Sequence, residues 1–323
     1  MKGVTEVNEV ILIILKILPI ILILLMGVVM RKIGFINAEI VRGMKKITLG
    51  ISLPCLLFLT FFRAKMEPEF LVLSLVIFIT CILLFGVGFL IMKLQKSSNP
   101  FYPTLFTTFL TGPIGFPLFN AYFGAEHLYK LALLDVGNSL FIFTVLIAFL
   151  STVSCEMNST KKKNISTILK NMIKSPLVIS MFLGIIIAMT GTSSTIEKMP
   201  IAAALLEAIS LMASLAFPLT LLIIGYELPF EFKNYRKTMI AVLLRLAIML
   251  PIAYVLNTFV IVRWMQLDKI YQAALYTMFI LPPPFIIPLS IIGECDHKKY
   301  VLDFISLHLL VSLIAFIIVM YFI

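Results

Sequence analysis

Pro113-Ile114-Gly115-Phe116-Pro117 and Pro284-Phe285-Ile286-Ile287-Pro288 each lie in the middle of an apolar run, and both read P-x-x-x-P. Proline removes a backbone donor and clashes with the carbonyl four residues earlier. Gly112 and Gly115 weaken the first run further, and the second carries three consecutive prolines, Pro282, Pro283 and Pro284. Each run is therefore either one kinked helix or two half-helices separated by unwound backbone. The density of breakers favours the second reading. Unwound backbone at membrane depth survives only where protein or a water-filled cavity covers it. Two such breaks meeting near the bilayer midplane would present half-helix N-termini, with free N–H groups and a positive dipole end, to an anionic group.

The rest of the chain supplies the membrane. Of its 323 residues 61% are hydrophobic and 13% charged, with a mean hydropathy of +1.10. A soluble domain carries about 25% charged residues. Lipid is the solvent that such a surface tolerates, and apolar runs of about 20 residues without period-2 alternation predict helices. The net charge of +10 sits in short links between these runs, where it sets topology. No groove-reading motif accompanies it, so no nucleic-acid partner is expected. Cys55, Cys81, Cys155 and Cys295 form no C-x-x-C pair and read as free thiols. The first apolar run is too long for a signal-peptide core and is expected to be retained.

Ten spans are predicted, at 10–30, 45–62, 69–92, 103–123, 127–155, 172–191, 200–225, 238–262, 270–293 and 299–322. The polar link 156–171, with Lys161, Lys162, Lys163 and Lys170, divides the chain into a first repeat, 1–155, and a second, 172–323. Of the 26 Lys and Arg, counting those at span ends with the adjoining link, 17 fall in the odd-to-even links, 7 in the N-terminus and the other links, and 2, Lys16 and Arg245, deeper within spans. The bias places the odd-to-even links inside, so both termini are outside and the central basic loop is cytoplasmic. Asn158 and Asn164 begin N-x-S/T sequons, which a cytoplasmic location would make irrelevant. Five spans per half is an odd number, so two similar halves would be inverted, as in many secondary transporters. The P-x-x-x-P pair supports this, as do Asp135-x-x-Asn138 against Asp303-x-x-Ser306 and Pro54 against Pro218.

Candidate site residues follow from polarity within apolar runs. Asp135 and Asn138 share one face of span 5, and an intramembrane carboxylate is a functional candidate or a helix-packing acid. Asp303 and His308 in span 10 are further candidates for a proton or coupling ion. Arg245 in span 8 either pairs with an acid, faces an anion path or snorkels, and Glu207 in span 7 carries the same ambiguity. Ser52, two residues before Pro54, bonds a substrate or the carbonyl one turn back. With Thr108, Thr111, Gly112, Pro113, Gly115, Pro117, Asn138, Pro282, Pro283, Pro284 and Pro288 it makes up the expected substrate site. No H-E-x-x-H, G-x-S-x-G or P-loop pattern occurs, so neither an enzyme nor a metal site nor a cofactor is expected.

Ile17-Leu-Pro-Ile-Ile-Leu-Ile-Leu-Leu-Met-Gly27 followed by Arg31-Lys-Ile-Gly-Phe-Ile36 resembles the start of the auxin efflux carrier family. Lys46-Ile-Thr-Leu-Gly-Ile-Ser-Leu-Pro-Cys-Leu-Leu-Phe58 resembles its second helix, and Gly115-Phe-Pro117 with Phe123-Gly124 its fourth. Ser175-Pro-Leu with Leu183-Gly184 resembles its sixth, and Phe217-Pro-Leu with Ile224-Gly225 its seventh. The resemblance implies a ten-helix all-α fold related to bile-acid and sodium symporters, with broken helices 4 and 9 crossing beside the substrate. It implies a homodimer in a bacterial-type inner membrane, joined through scaffold helices that include 2 and 7. It further implies a permease for a small organic anion, an auxin-like indole carboxylate or a dicarboxylate such as malate or malonate. Where the family often carries an Asn before the Gly-x-Pro of helix 4, this chain has Leu110 and Thr111, and Thr111 and Thr108 are the nearest substitutes. The expected activity is alternating access, coupled to a proton, to sodium or to neither. The competing class is a channel or a membrane sensor.

Overall fold

The computed structural model describes residues 2–63, 69–153, 176–227, 235–291 and 296–323, which are helical with no strand among them. The basic loop with its sequons, Cys155 and Cys295 lie outside the described residues, as does the side chain of Lys16. We number the helices α1 (Lys2–Lys32), α2 (Ala38–Phe62), α3 (Glu69–Leu94), α4 (Phe116–Phe123), α5 (Leu128–Phe141), α6 (Pro176–Met189) and α7 (Ser193–Glu197). They continue with α8 (Pro200–Glu227), α9 (Tyr235–Leu256), α10 (Lys269–Phe279), α11 (Ile286–Ser290) and α12 (Asp296–Phe322). Wider π turns interrupt α2 at Thr48–Ser52 and extend α5 through Ile142–Leu146 and α9 through Asn257–Trp264.

Six helices among the described residues are long and apolar enough to cross a membrane: α2, α3, α5, α8, α9 and α12. The apolar part of α6 is shorter, Ile179–Met189. Predicted spans 4 and 9 fall short for the reason their prolines suggest, since each is divided into pieces. Outward faces carry Leu71, Ile201, Leu205 and Ile314, all more than 60% exposed, as lipid-facing positions are. The core instead collects aromatic rings where the chain unwinds: Phe106, Phe109, Phe116, Phe119, Phe279 and Phe304 are fully buried.

Small residues let the helices touch. Helix α1 packs along α8, α2 along α6, and α3 along α5. Gly27 and Gly225 face each other across the first pair, where a Cβ on Gly225 would lie 2.0 Å from the Leu24 carbonyl oxygen. In lipid such close approach replaces the hydrophobic drive that water would provide.

Asp268 caps α10, accepting hydrogen bonds from the Ile270 and Tyr271 amides. It also takes one from the ammonium of Lys130, a residue only 5% exposed near the start of α5. Partial burial pushes the Asp268 carboxyl up, but Lys130 and the two amides outweigh it and hold the group below the usual carboxylate range. A depressed native value stabilises the fold above the unfolded carboxylate range and is lost as pH falls through the folded value. The wild-type melting temperature is therefore expected to drop below about pH 4, and Asp268→Asn should lose part of that drop. A cap alone contributes about 1 kcal/mol. Identical pH profiles for the two proteins would refute the assignment.

Candidate functional site

The chain enters the first break through a tight 3-10 turn, Tyr102–Phe106, and leaves helical geometry over residues 107–110. A wide turn, Thr111–Gly115, then starts α4, with Pro117 in its first turn. The second break begins at the end of α10 and runs unwound through Pro282, Pro283 and Pro284 to α11, with Pro288 inside that short helix. The two breaks meet. The Leu110 amide donates to the Pro282 carbonyl at 2.8 Å. The rings of Phe109 and Phe279 pack 4.7 Å apart beside this bond.

Asn138, 1% exposed, holds the first break. Its Oδ1 accepts from the Phe109 amide at 3.1 Å, and its Nδ2 donates to the Phe109 carbonyl at 2.9 Å. The side-chain amide thus pairs with an unwound residue as a neighbouring strand would. The same Nδ2 lies 2.8 Å from Oδ1 of Asp135, whose Oδ2 accepts from Ser139 at 3.2 Å. The buried Thr111 hydroxyl lies near this carboxylate and has no hydrogen-bond partner among the described residues. Asp135 is therefore braced to the crossing by Asn138. Thr107 ties the break to α3 through the Cys81 carbonyl at 2.8 Å.

Arg245 takes neither of two expected roles, snorkelling or pairing with an acid. It does not snorkel, since it is 0% exposed, and it joins no acid among the described residues. Its guanidinium donates to the carbonyls of Leu105 and Thr108 in the first break and to that of Leu281 in the second, the last at 3.2 Å. It lies over the Phe109 ring, 5.5 Å from the centroid. Glu207 sits on the exposed side of α8. His308 is fully buried beside the second break: its Nδ1 lies 3.0 Å from Ser312 Oγ, which donates to the Ile280 carbonyl at 2.6 Å. Asp303 and Ser306 are buried on α12 but join no bond at the crossing among the described residues, where Ser312 makes the α12 contact instead.

Thr60, Thr80 and Thr144 bond the carbonyl one turn back, as Ser and Thr in membrane helices do. Ser52, Thr108, Thr220 and Thr277 are buried with no hydrogen-bond partner among the described residues. The part of α8 that carries Thr220 packs against both the Thr48–Ser52 turn and the Thr111–Gly115 turn, which links Ser52 to the first break through α8. Thr111 and Gly112 open a helix, so their amides have no acceptor one turn back. A Cβ on Gly112 would meet nothing within 4 Å, whereas one on Gly115 would lie 2.7 Å from the Leu281 side chain. Gly112 faces open space and Gly115 faces the other break. The site accordingly presents N–H and O–H donors near Gly112, with a carboxylate behind them. No group of three or more His, Cys, Asp or Glu suited to a metal ion lies among the described residues.

Sequence reasoning missed Thr220, Thr277 and Ser312. Each is a small polar residue in an apolar helix, a type too common to single out without its neighbours. No family model matches the chain, and no curated protein matches it.

Proposed function

We propose that the chain is a secondary carrier that moves a small organic anion, such as a mono- or dicarboxylate, across the plasma membrane by alternating access. The observation that carries this reading is the bonded meeting of two broken helices, Leu110 to Pro282, beside the helix-opening amides of Thr111 and Gly112, with open space at the Gly112 Cβ position. Fixed N–H donors at a helix start favour negative charge, and broken helices that meet in this way build substrate sites in many carriers.

The ten-span arrangement of two inverted five-helix repeats belongs to this proposal, with α4 and α10–α11 as crossover segments. The packing of α1 on α8 and of α2 on α6 supports it, because an inverted pair of halves would exchange these two contacts. In the same reading α1, α2, α6 and α8 form the scaffold, and the remaining helices rock against them. Termini outside, a cytoplasmic basic loop, a homodimer and kinship with auxin efflux carriers complete the proposal. Asp135 is the candidate coupling group, for a proton or for sodium.

Purified protein in liposomes, assayed against a panel of labelled mono- and dicarboxylates, tests it. Saturable uptake with counterflow is expected, and linear flux without counterflow would favour a pore. Gly112→Ala is the targeted variant. Its Cβ enters open space, so melting temperature should stay at the wild-type value while transport falls at least about tenfold, equivalent to about 1.4 kcal/mol of lost binding. Wild-type transport in this variant would move the substrate away from the Thr111–Gly112 amides.

A further inference from the structure

Carbonyl oxygens freed by broken helices are where carriers of this general build coordinate a free cation. Here three of them, from Leu105, Thr108 and Leu281, come from both breaks and converge on one side chain, Arg245. Leu105 is the penultimate residue of a 3-10 turn, and Leu281 follows the last turn of α10, so both carbonyls belong to negative ends of helical segments. The side chain is fully buried, and no carboxylate neutralises it among the described residues. An unpaired buried charge is tolerated only where fixed dipoles replace its water. The planar guanidinium, with donors pointing in several directions in one plane, suits a fan of carbonyls better than an ammonium does.

We infer that Arg245 is a tethered cation: its guanidinium occupies the carbonyl cage that a free monovalent cation would otherwise fill, and it pins the two breaks together. The cage then needs no sodium. The crossing also keeps a positive charge that forms no ion pair among the described residues, which favours an anionic solute. This second consequence rests on the carrier reading, whereas the cage itself does not.

The test reads melting temperature of the purified protein in detergent, so it is independent of any substrate. Choline chloride is exchanged for sodium chloride, or for guanidinium chloride at low millimolar concentration, at constant ionic strength. The wild-type value should not change. Arg245→Ala should melt lower and recover most of the loss as guanidinium saturates the vacated cage, with a smaller saturable gain from sodium, since a ligand that binds only the native state raises its stability. Arg245→Met fills the space without charge, so it should melt lower and gain nothing from either ion.

Arg245→Met melting at the wild-type temperature would overturn the inference, as would Arg245→Ala gaining no more than the wild type. If neither variant accumulates in membranes, Arg245→Lys decides. Its accumulation supports a requirement for positive charge, and its failure means that shape rather than charge is needed, which sinks the tethered cation. A protein that shows this ion response but no carboxylate flux would refute the carrier and leave the cage standing.

Discussion

Asn138→Asp is expected to lower the melting temperature sharply and to abolish carboxylate transport, although the two side chains are nearly the same size. Asn138 is both donor and acceptor at the crossing: it accepts from the Phe109 amide and donates to the Phe109 carbonyl and to Asp135. An ionised Asp keeps the first bond and loses the other two. Each buried acceptor left without its donor costs about 1–3 kcal/mol. A second carboxylate beside Asp135 adds repulsion in a site where water screens little. The substituted chain can relieve this by protonating one acid or by releasing the unwound segment, and either response disturbs the geometry that holds Thr111 and Gly112. Asn138→Ser, which can still donate to one partner, should fall between the wild type and Asp. Thermal unfolding and liposome flux measured on both variants provide the check. An Asp variant with wild-type stability and flux would show that Phe109 needs no partner.

Gly137→Ala should separate α3 from α5. An added Cβ would lie 2.1 Å from the Ser74 carbonyl oxygen and 2.9 Å from the Phe78 amide nitrogen, both backbone atoms of α3. No rotamer change relieves a contact with backbone, so the helices must move apart. Overpacking of this kind costs about 1–3 kcal/mol, and more where the neighbours cannot yield. The Ser74 hydroxyl bonds the Leu133 carbonyl at 3.1 Å across the same interface and would be strained with it. Gly137 precedes Asn138, so the displacement would also reach the Phe109 clamp. Loss of both stability and transport is expected, in contrast to Gly112→Ala, whose Cβ meets empty space. Equal melting temperatures for Gly137→Ala and the wild type would refute the close contact.

The two breaks were legible because proline acts locally. A missing donor and a clash one turn back interrupt a helix whatever surrounds it, so Pro113, Pro117 and Pro282 to Pro284 announced unwound backbone without any knowledge of neighbours. Asp135 with Asn138 was legible on the same footing, since residues three apart share a helix face. Its apparent copy, Asp303 with Ser306, was not equivalent. The spacing repeats, yet only the first pair reaches an unwound segment, and on α12 the contact falls to Ser312 and His308. Span count was the least secure reading, because a proline-broken segment reads as one apolar run but folds as separate short pieces. Glu207 and Arg245 carried the same ambiguity as charges within apolar helices, and exposure of the first with burial of the second separates them.

Composition and order alone determined that this chain is helical and lipid-facing and that its regularity fails at two prolyl segments, because these properties depend on residue type and near neighbours. Only the tertiary structure decided that the two segments bond to each other, and that Arg245 binds carbonyl oxygens rather than an acid. Backbone carbonyls carry no signature in the sequence. Which of them a buried cation meets depends on where distant helices bring their unwound ends.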